Sequence, residues 1–184
     1  MSVRRVITGH DVDGRAVVLA DAPATNSRVR RAAGGLISTL VWMTRESPAA
    51  VHDLGDRADA EIGVAPPPMG SVFRVVEFPP LGARGVSGLD QTEILAEMGI
   101  AGDGVGRRHP FTHRTRSLDY GVILTGRIRL VLDDGELVLN AGDVLVQQAN
   151  DHAWVNDFDE PCTVAFVLLD AVPEDPSADL GEAR

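Results

Sequence analysis

Two short stretches of this chain hold the side chains best suited to chemistry. The first is His113-Arg-Thr-Arg-Ser-Leu-Asp119-Tyr-Gly-Val-Ile-Leu-Thr-Gly126. Residues two apart share one face of a strand, so Asp119, Gly121, Ile123 and Thr125 should point the same way. A carboxylate opening a strand above glycine and apolar residues suits the mouth of a cavity. The second stretch runs from Gly142 to Asn156, GDVLVQQANDHAWVN. There His152 follows a strand and a short turn, and Trp154 and Asn156 share its face if the chain is extended. Imidazole and carboxyl groups brought together can move protons.

The elements that must position these groups read as strands. Early candidates are Arg4–Ile7, Ala16–Leu19 and Ile37–Met43, and SVFRVVEF at Ser71–Phe78 ends at Pro79–Pro80. From Ser117 to Asp170 strands follow in quick succession. Asp134–Gly135 is a hairpin turn and Asn140–Gly142 breaks the next pair, so these neighbours are expected to be antiparallel. One helix is expected: Asp90 and Glu93 have capping-box spacing, Ile94–Met98 supplies about two turns, and Gly99 stops it. It should lie over the strands as an insertion. Arg45–Gly70, with three consecutive prolines, reads as a long irregular excursion, and Gly102–Gly106 as a flexible approach to the first stretch. Ala171–Arg184 is acidic and reads as a loose tail.

Both stretches resemble the two conserved motifs of the cupins. In the first motif His113 matches the leading histidine, Asp119 stands where the glutamate belongs, and Gly126 lies six residues beyond. In the second, Gly142, Asp143, His152 and Asn156 match, with a turn one residue shorter. Thr115 stands at the second histidine position, so the chain departs from the family's three-histidine, one-carboxylate set. The resemblance covers roughly residues 105–170. It implies an all-β fold: a single antiparallel cupin β-barrel (a double-stranded β-helix or jelly roll) over residues 1–170, with residues 171–184 as tail. It also implies a homodimer, which the apolar strand Tyr120–Leu124 supports because both of its faces need cover.

From the resemblance, His113, Asp119 and His152 are the expected ligands of a divalent iron, zinc, manganese or nickel ion. The same three are the expected catalytic groups, and a metal-free pocket with a histidine base is the alternative. Thr115, Trp154, Gln148 and Asn156 are expected to contact the ligand. His109 is a possible replacement ligand, whereas His10 and His52 sit in turn-like, charged contexts. Arg114 and Arg116 flank the first motif and could attract an anion; Arg127 and Arg129 belong on a solvated face. Tyr120 should face away from Asp119, toward packing or a subunit interface.

Composition narrows the classes. All seventeen basic residues are arginine, which excludes a Schiff-base lysine and a P-loop lysine. Net charge of −10 argues against nucleic acid as partner. Cys162, the single cysteine, lies in CTVAFVLL and reads as a buried thiol. No apolar run is long enough to span a bilayer, and no signal-peptide core follows the N-terminus, so a cytoplasmic location is expected. The expected function is that of a small-molecule enzyme with metal-assisted lyase, dehydratase or oxygenase chemistry. A non-catalytic, metal-free binding module is the other reading.

Overall fold

The computed structural model describes residues 2–51, 55–61, 63–100 and 109–172, apart from the side chain of Arg84. Among the described residues, five strands precede an α-helix: β1 Arg4–His10, β2 Ala16–Pro23, β3 Ser27–Arg30, β4 Leu36–Thr44 and β5 Ser71–Phe78. This helix, α1, spans Gln91–Met98. Six strands among the described residues follow it: β6 Ser117–Thr125, β7 Arg127–Val131, β8 Glu136–Asn140, β9 Val144–Gln148, β10 Ala153–Val155 and β11 Cys162–Asp170. Strand β3, with the sequence SRVR, carries no alternating apolar signal, and only its pairing with β4 reveals it.

Every pairing is antiparallel. A six-stranded sheet runs β3-β4-β5-β11-β6-β9, and a three-stranded sheet runs β10-β7-β8. Strands β1 and β2 form a separate hairpin. Val72, Val76, Ile123, Val164 and Leu168 from the large sheet meet Ile128, Leu130, Leu139 and Trp154 from the small one in a single apolar cluster. Each such aliphatic side chain contributes about 1.5–3 kcal/mol when fully buried. Strand alternation does the sorting. In β7, Ile128 and Leu130 turn inward while Arg127 and Arg129 turn out, where Arg129 pairs with Glu136 and Asp157.

The connections follow local chemistry. Leu132 N–H donates to the Gly135 carbonyl (2.8 Å), closing the β7–β8 hairpin at Asp134–Gly135. Gly126 has φ +68°, and a Cβ there would lie 2.5 Å from the Pro161 carbonyl oxygen, so only glycine fits that corner. In α1 the Asp90 carboxylate accepts from Thr92 N–H (2.7 Å), and Gly99 closes the helix in the left-handed region. Ile94 and Leu95 face inward, and the Glu97 carboxylate accepts the N–H groups of Arg31 and Ala32 at the end of β3. The helix is thus tied to the edge of the large sheet. Residues 45–51, 55–61 and 63–70 contain no helix or strand, as expected. His52 and the 102–106 and 173–184 segments lie outside the described residues. Among the described residues, no helix is long and apolar enough to cross a membrane.

Candidate functional site

A cavity of about 100 Å³ lies between the two sheets. Its apolar wall includes Phe78, Leu81, Phe111, Trp154 and Phe166, and its polar positions include His113, Thr115, Asp119 and His152. Main-chain bonds place the histidines. His113 N–H donates to the His152 carbonyl (3.0 Å) and His152 N–H returns the bond (3.1 Å), an isolated antiparallel bridge. Two residues that exchange both bonds sit directly opposite one another, so their rings meet with centroids 4.4 Å apart.

Each ring is then oriented by a carbonyl two residues before it. His113 Nδ1 bonds the Phe111 carbonyl (2.8 Å) and His152 Nδ1 bonds the Asn150 carbonyl (2.9 Å). A carbonyl only accepts, so both Nδ1 atoms carry the proton, and the lone pair of His152 is on Nε2. That Nε2 accepts a bond from the Gln147 amide nitrogen at 3.1 Å, and the same nitrogen donates to Asp119 Oδ2 at 3.1 Å. Cross-strand register explains the meeting: Asp119 on β6 is directly opposite Gln147 on β9.

Asp119 is 6% exposed and His152 is 2% exposed. Burial raises the Asp119 carboxyl above its ordinary range, and hydrogen bonds from Ser117 and Gln147 together with nearby Arg74 only partly oppose this. Burial also drives His152 down to about 3, helped by His113 beside it. Both shifts favour the uncharged form. Asp119 Oδ1 and Gln147 Oε1 are buried without a hydrogen-bond partner among the described residues.

The structure departs from the sequence reading at Gln148, which lies on the exposed face of β9. Gln147 is the residue that turns inward. Strand alternation sets that parity, with Leu145 and Gln147 facing in and Val144, Val146 and Gln148 facing out. Thr125, expected on the Asp119 face, is exposed at the strand end. Thr115 lines the cavity and its hydroxyl bonds the Ser117 hydroxyl (2.8 Å). Trp154 packs against Phe166 and Phe78, with ring centroids 5.2 and 6.2 Å apart. Asn156 lines the cavity, but its amide serves the backbone: it donates to the Phe78 and Glu160 carbonyls and accepts Phe158 N–H. His109 sits beside Phe111 and its Nδ1 accepts Phe111 N–H (3.1 Å). Tyr120 faces outward, away from Asp119. Cys162 is fully buried, and burial pushes its thiol up to about 11, a poor nucleophile.

Among the described residues, no three His, Cys, Asp or Glu side chains are placed to share one metal ion. The reason is visible between His152 and Asp119. The point their free lone pairs would share is taken by the Gln147 NH2 group, a donor with no lone pair for a metal. In this arrangement His113, Asp119 and His152 do not fit a metal centre.

The sequence reading also passed over Arg74. It shares the inward face of β5 with Val72, Val76 and Phe78, and it is 5% exposed. A charged residue in phase with that apolar set was the available signal.

Comparison with known proteins agrees with the barrel. A cupin-domain family model matches residues 97–168. The cupin-domain-containing oxidoreductase fogC of Aspergillus ruber is 32% identical over 91% of this chain and 72% of its own length. Phomopsin biosynthesis cluster protein D of Diaporthe leptostromiformis is 31% identical over 92% of this chain and 79% of its own. The cupin domain of Schizosaccharomyces pombe Cnp3 aligns over 99% of this chain and 98% of its own, with 11% identity and a TM-score of 0.48. The chain belongs to the cupin family. Its relatives include proteins named as oxidoreductases and as products of biosynthetic clusters, which supports a small-molecule cupin enzyme.

Proposed function

We propose that this protein transforms a small, largely apolar molecule by acid–base chemistry of the lyase or dehydratase type. The observation that carries this reading is the linked pair Asp119–Gln147–His152 at the cavity wall. Burial shifts the two groups in opposite directions, each toward its uncharged form, the pattern that assigns acid and base roles in buried sites. Asp119 Oδ1 donates a proton or a hydrogen bond to a substrate carbonyl oxygen. His152 Nε2 exchanges its bond from Gln147 for the proton on the neighbouring carbon. Loss of a leaving group from the next carbon completes an elimination: the enol re-forms the carbonyl and returns its proton to Asp119 Oδ1, while His152 passes its proton to the departing group. Gln147 holds the two groups in register, and Trp154 with Phe166 supplies the apolar wall.

The test is hydrogen–deuterium exchange, followed by NMR, on a panel of small aromatic ketones and β-hydroxy carbonyl compounds. Wild type should exchange the carbon-bound proton. His152→Ala and Asp119→Asn should each lose at least about 100-fold of that rate while remaining folded. Unchanged exchange in His152→Ala would overturn the assignment. The relatives' oxidoreductase names favour a second reading, redox chemistry in the same cavity. A product at a different oxidation level from its substrate would select it.

A further inference from the structure

Two arginines share the cavity with this acid–base pair. Arg74 comes from β5 and Arg30 from the end of β3, and both line the main cavity. They also line a smaller polar one of about 20 Å³, together with Ser38, Arg28 and Asn26. Arg74 is held by the irregular 45–70 excursion, one of its terminal nitrogens donating to the Gly63 and Val64 carbonyls at 3.0 and 2.7 Å. Its Nε–H is buried with no acceptor among the described residues. Arg30 donates to the Glu97 carbonyl at the end of α1.

The charges around them do not balance the pair. Neither Arg74 nor Arg30 makes a salt bridge to a carboxylate among the described residues. Arg28 is engaged by Glu61 (2.8 Å), and the Glu97 carboxylate is committed to two backbone N–H groups. Asp119 is near enough to act on Arg74 electrostatically, but burial biases it toward its neutral form. Desolvation and the neighbouring Arg30 pull Arg74 down to about 10, so it remains a cation at neutral pH. Truncating the partner of a buried charge is costly, and a buried cation with a vacant donor is stabilised by any anion that reaches it.

We propose that Arg74 and Arg30 form an anion subsite that anchors a carboxylate, or an equivalent planar oxyanion, on an otherwise apolar substrate. This rests on the acid–base reading of the cavity and names the substrate class it takes. Arg74, Phe166 and Gly121 form one cross-strand row, and Asp119, Leu168 and Val72 form a neighbouring inward row. Arg74 and Asp119 therefore stand two strands apart, about 10 Å across the sheet. An aromatic or short aliphatic spacer would separate the anchored carboxylate from the carbon undergoing proton transfer. Phe166 on β11, the strand between β5 and β6, faces this space, and Trp154 packs edge-on against it with ring centroids 5.2 Å apart.

Benzoate and its neutral isostere benzamide serve as probes, with affinity measured by calorimetry on the full chain. Wild type should bind benzoate at least about 10-fold more tightly than benzamide. Arg74→Gln removes the charge while keeping a polar side chain, and should abolish that preference. Arg30→Met, a change at a half-buried position, should reduce it even if Arg74→Gln fails to fold. Equal affinity for the two probes in wild type, or no binding of benzoate at millimolar concentration, would overturn the subsite. So would an undiminished preference in Arg30→Met together with any folded Arg74→Gln. His152→Ala is measured in parallel and should keep the benzoate preference. Loss of exchange activity with the preference intact thus reports on the acid–base pair, and loss of the preference alone reports on the arginines.

Discussion

Acidification probes the buried neutral state of His152 directly. The ring is 2% exposed, and burial beside His113 lowers its proton affinity from the ordinary 6.5 to about 3. Between those two values the unfolded chain binds a proton that the folded chain refuses. Stability therefore rises with pH across this window and is lost as pH falls from 6.5 toward 3. The full slope is about 1.4 kcal/mol per pH unit, and it is halved at 6.5 where the unfolded ring is half protonated, so the two units below 6.5 amount to about 2 kcal/mol. Asp119 acts in the opposite sense. Its folded-state value is raised, so its contribution is present at low pH and fades as pH climbs through that raised value, which offsets part of the loss. His109 is lowered by burial and loses stability in the same direction as His152.

A comparison of wild type with His152→Leu separates these contributions, because the variant keeps Asp119 and His109. Urea unfolding monitored by Trp154 and Trp42 fluorescence, at about pH 6.5 and about pH 4.5, gives the two slopes. The variant should lose about 2 kcal/mol less than wild type between those conditions, whatever its starting stability. Parallel stability–pH curves for the two proteins would refute the neutral, desolvated histidine and with it the base proposed here.

Gln147→Leu removes the amide that serves both groups, leaving His152 Nε2 buried and unpaired and Asp119 with one donor fewer, but it also removes the unsatisfied Gln147 Oε1. The net cost should be about 1–3 kcal/mol by urea unfolding, and a neutral or stabilising result would mean that the bridge is not formed. The outer face of the large sheet exposes Phe73, Tyr120, Val122, Val144 and Val146. We propose that a second copy of the chain covers it. Light scattering should give a dimer at micromolar concentration and a monomer for Tyr120→Asp/Val146→Asp, whereas a monomeric wild type would remove the proposal.

Much of the barrel was readable because turn residues and alternation are local signals. Ser71–Phe78 matches β5 end to end, and the Asp90 cap and Gly99 stop of α1 are where the sequence puts them. The β7–β8 turn at Asp134–Gly135 is equally local. What escaped depends on pairing across the sheet. Edge strand β3, SRVR, has a single apolar residue and is defined only by its bonds to β4. The choice between Gln147 and Gln148 turns on which parity of β9 meets Asp119, and both glutamines follow an uninterrupted apolar run. Arg74 shows the opposite case. Its inward phase was legible, but the carbonyls of Gly63 and Val64 that hold it come from an excursion with no periodicity to read.

The reciprocal bonds between His113 and His152 use only main-chain atoms. Each ring is also oriented by a main-chain carbonyl. The spacing of the two positions is therefore independent of which side chains occupy them. Replacing either histidine alters the reagent without moving the socket that presents it. A barrel wired this way can trade one reaction for another by single substitutions, and engineered or natural variants at these two positions should diverge in chemistry well before they diverge in shape.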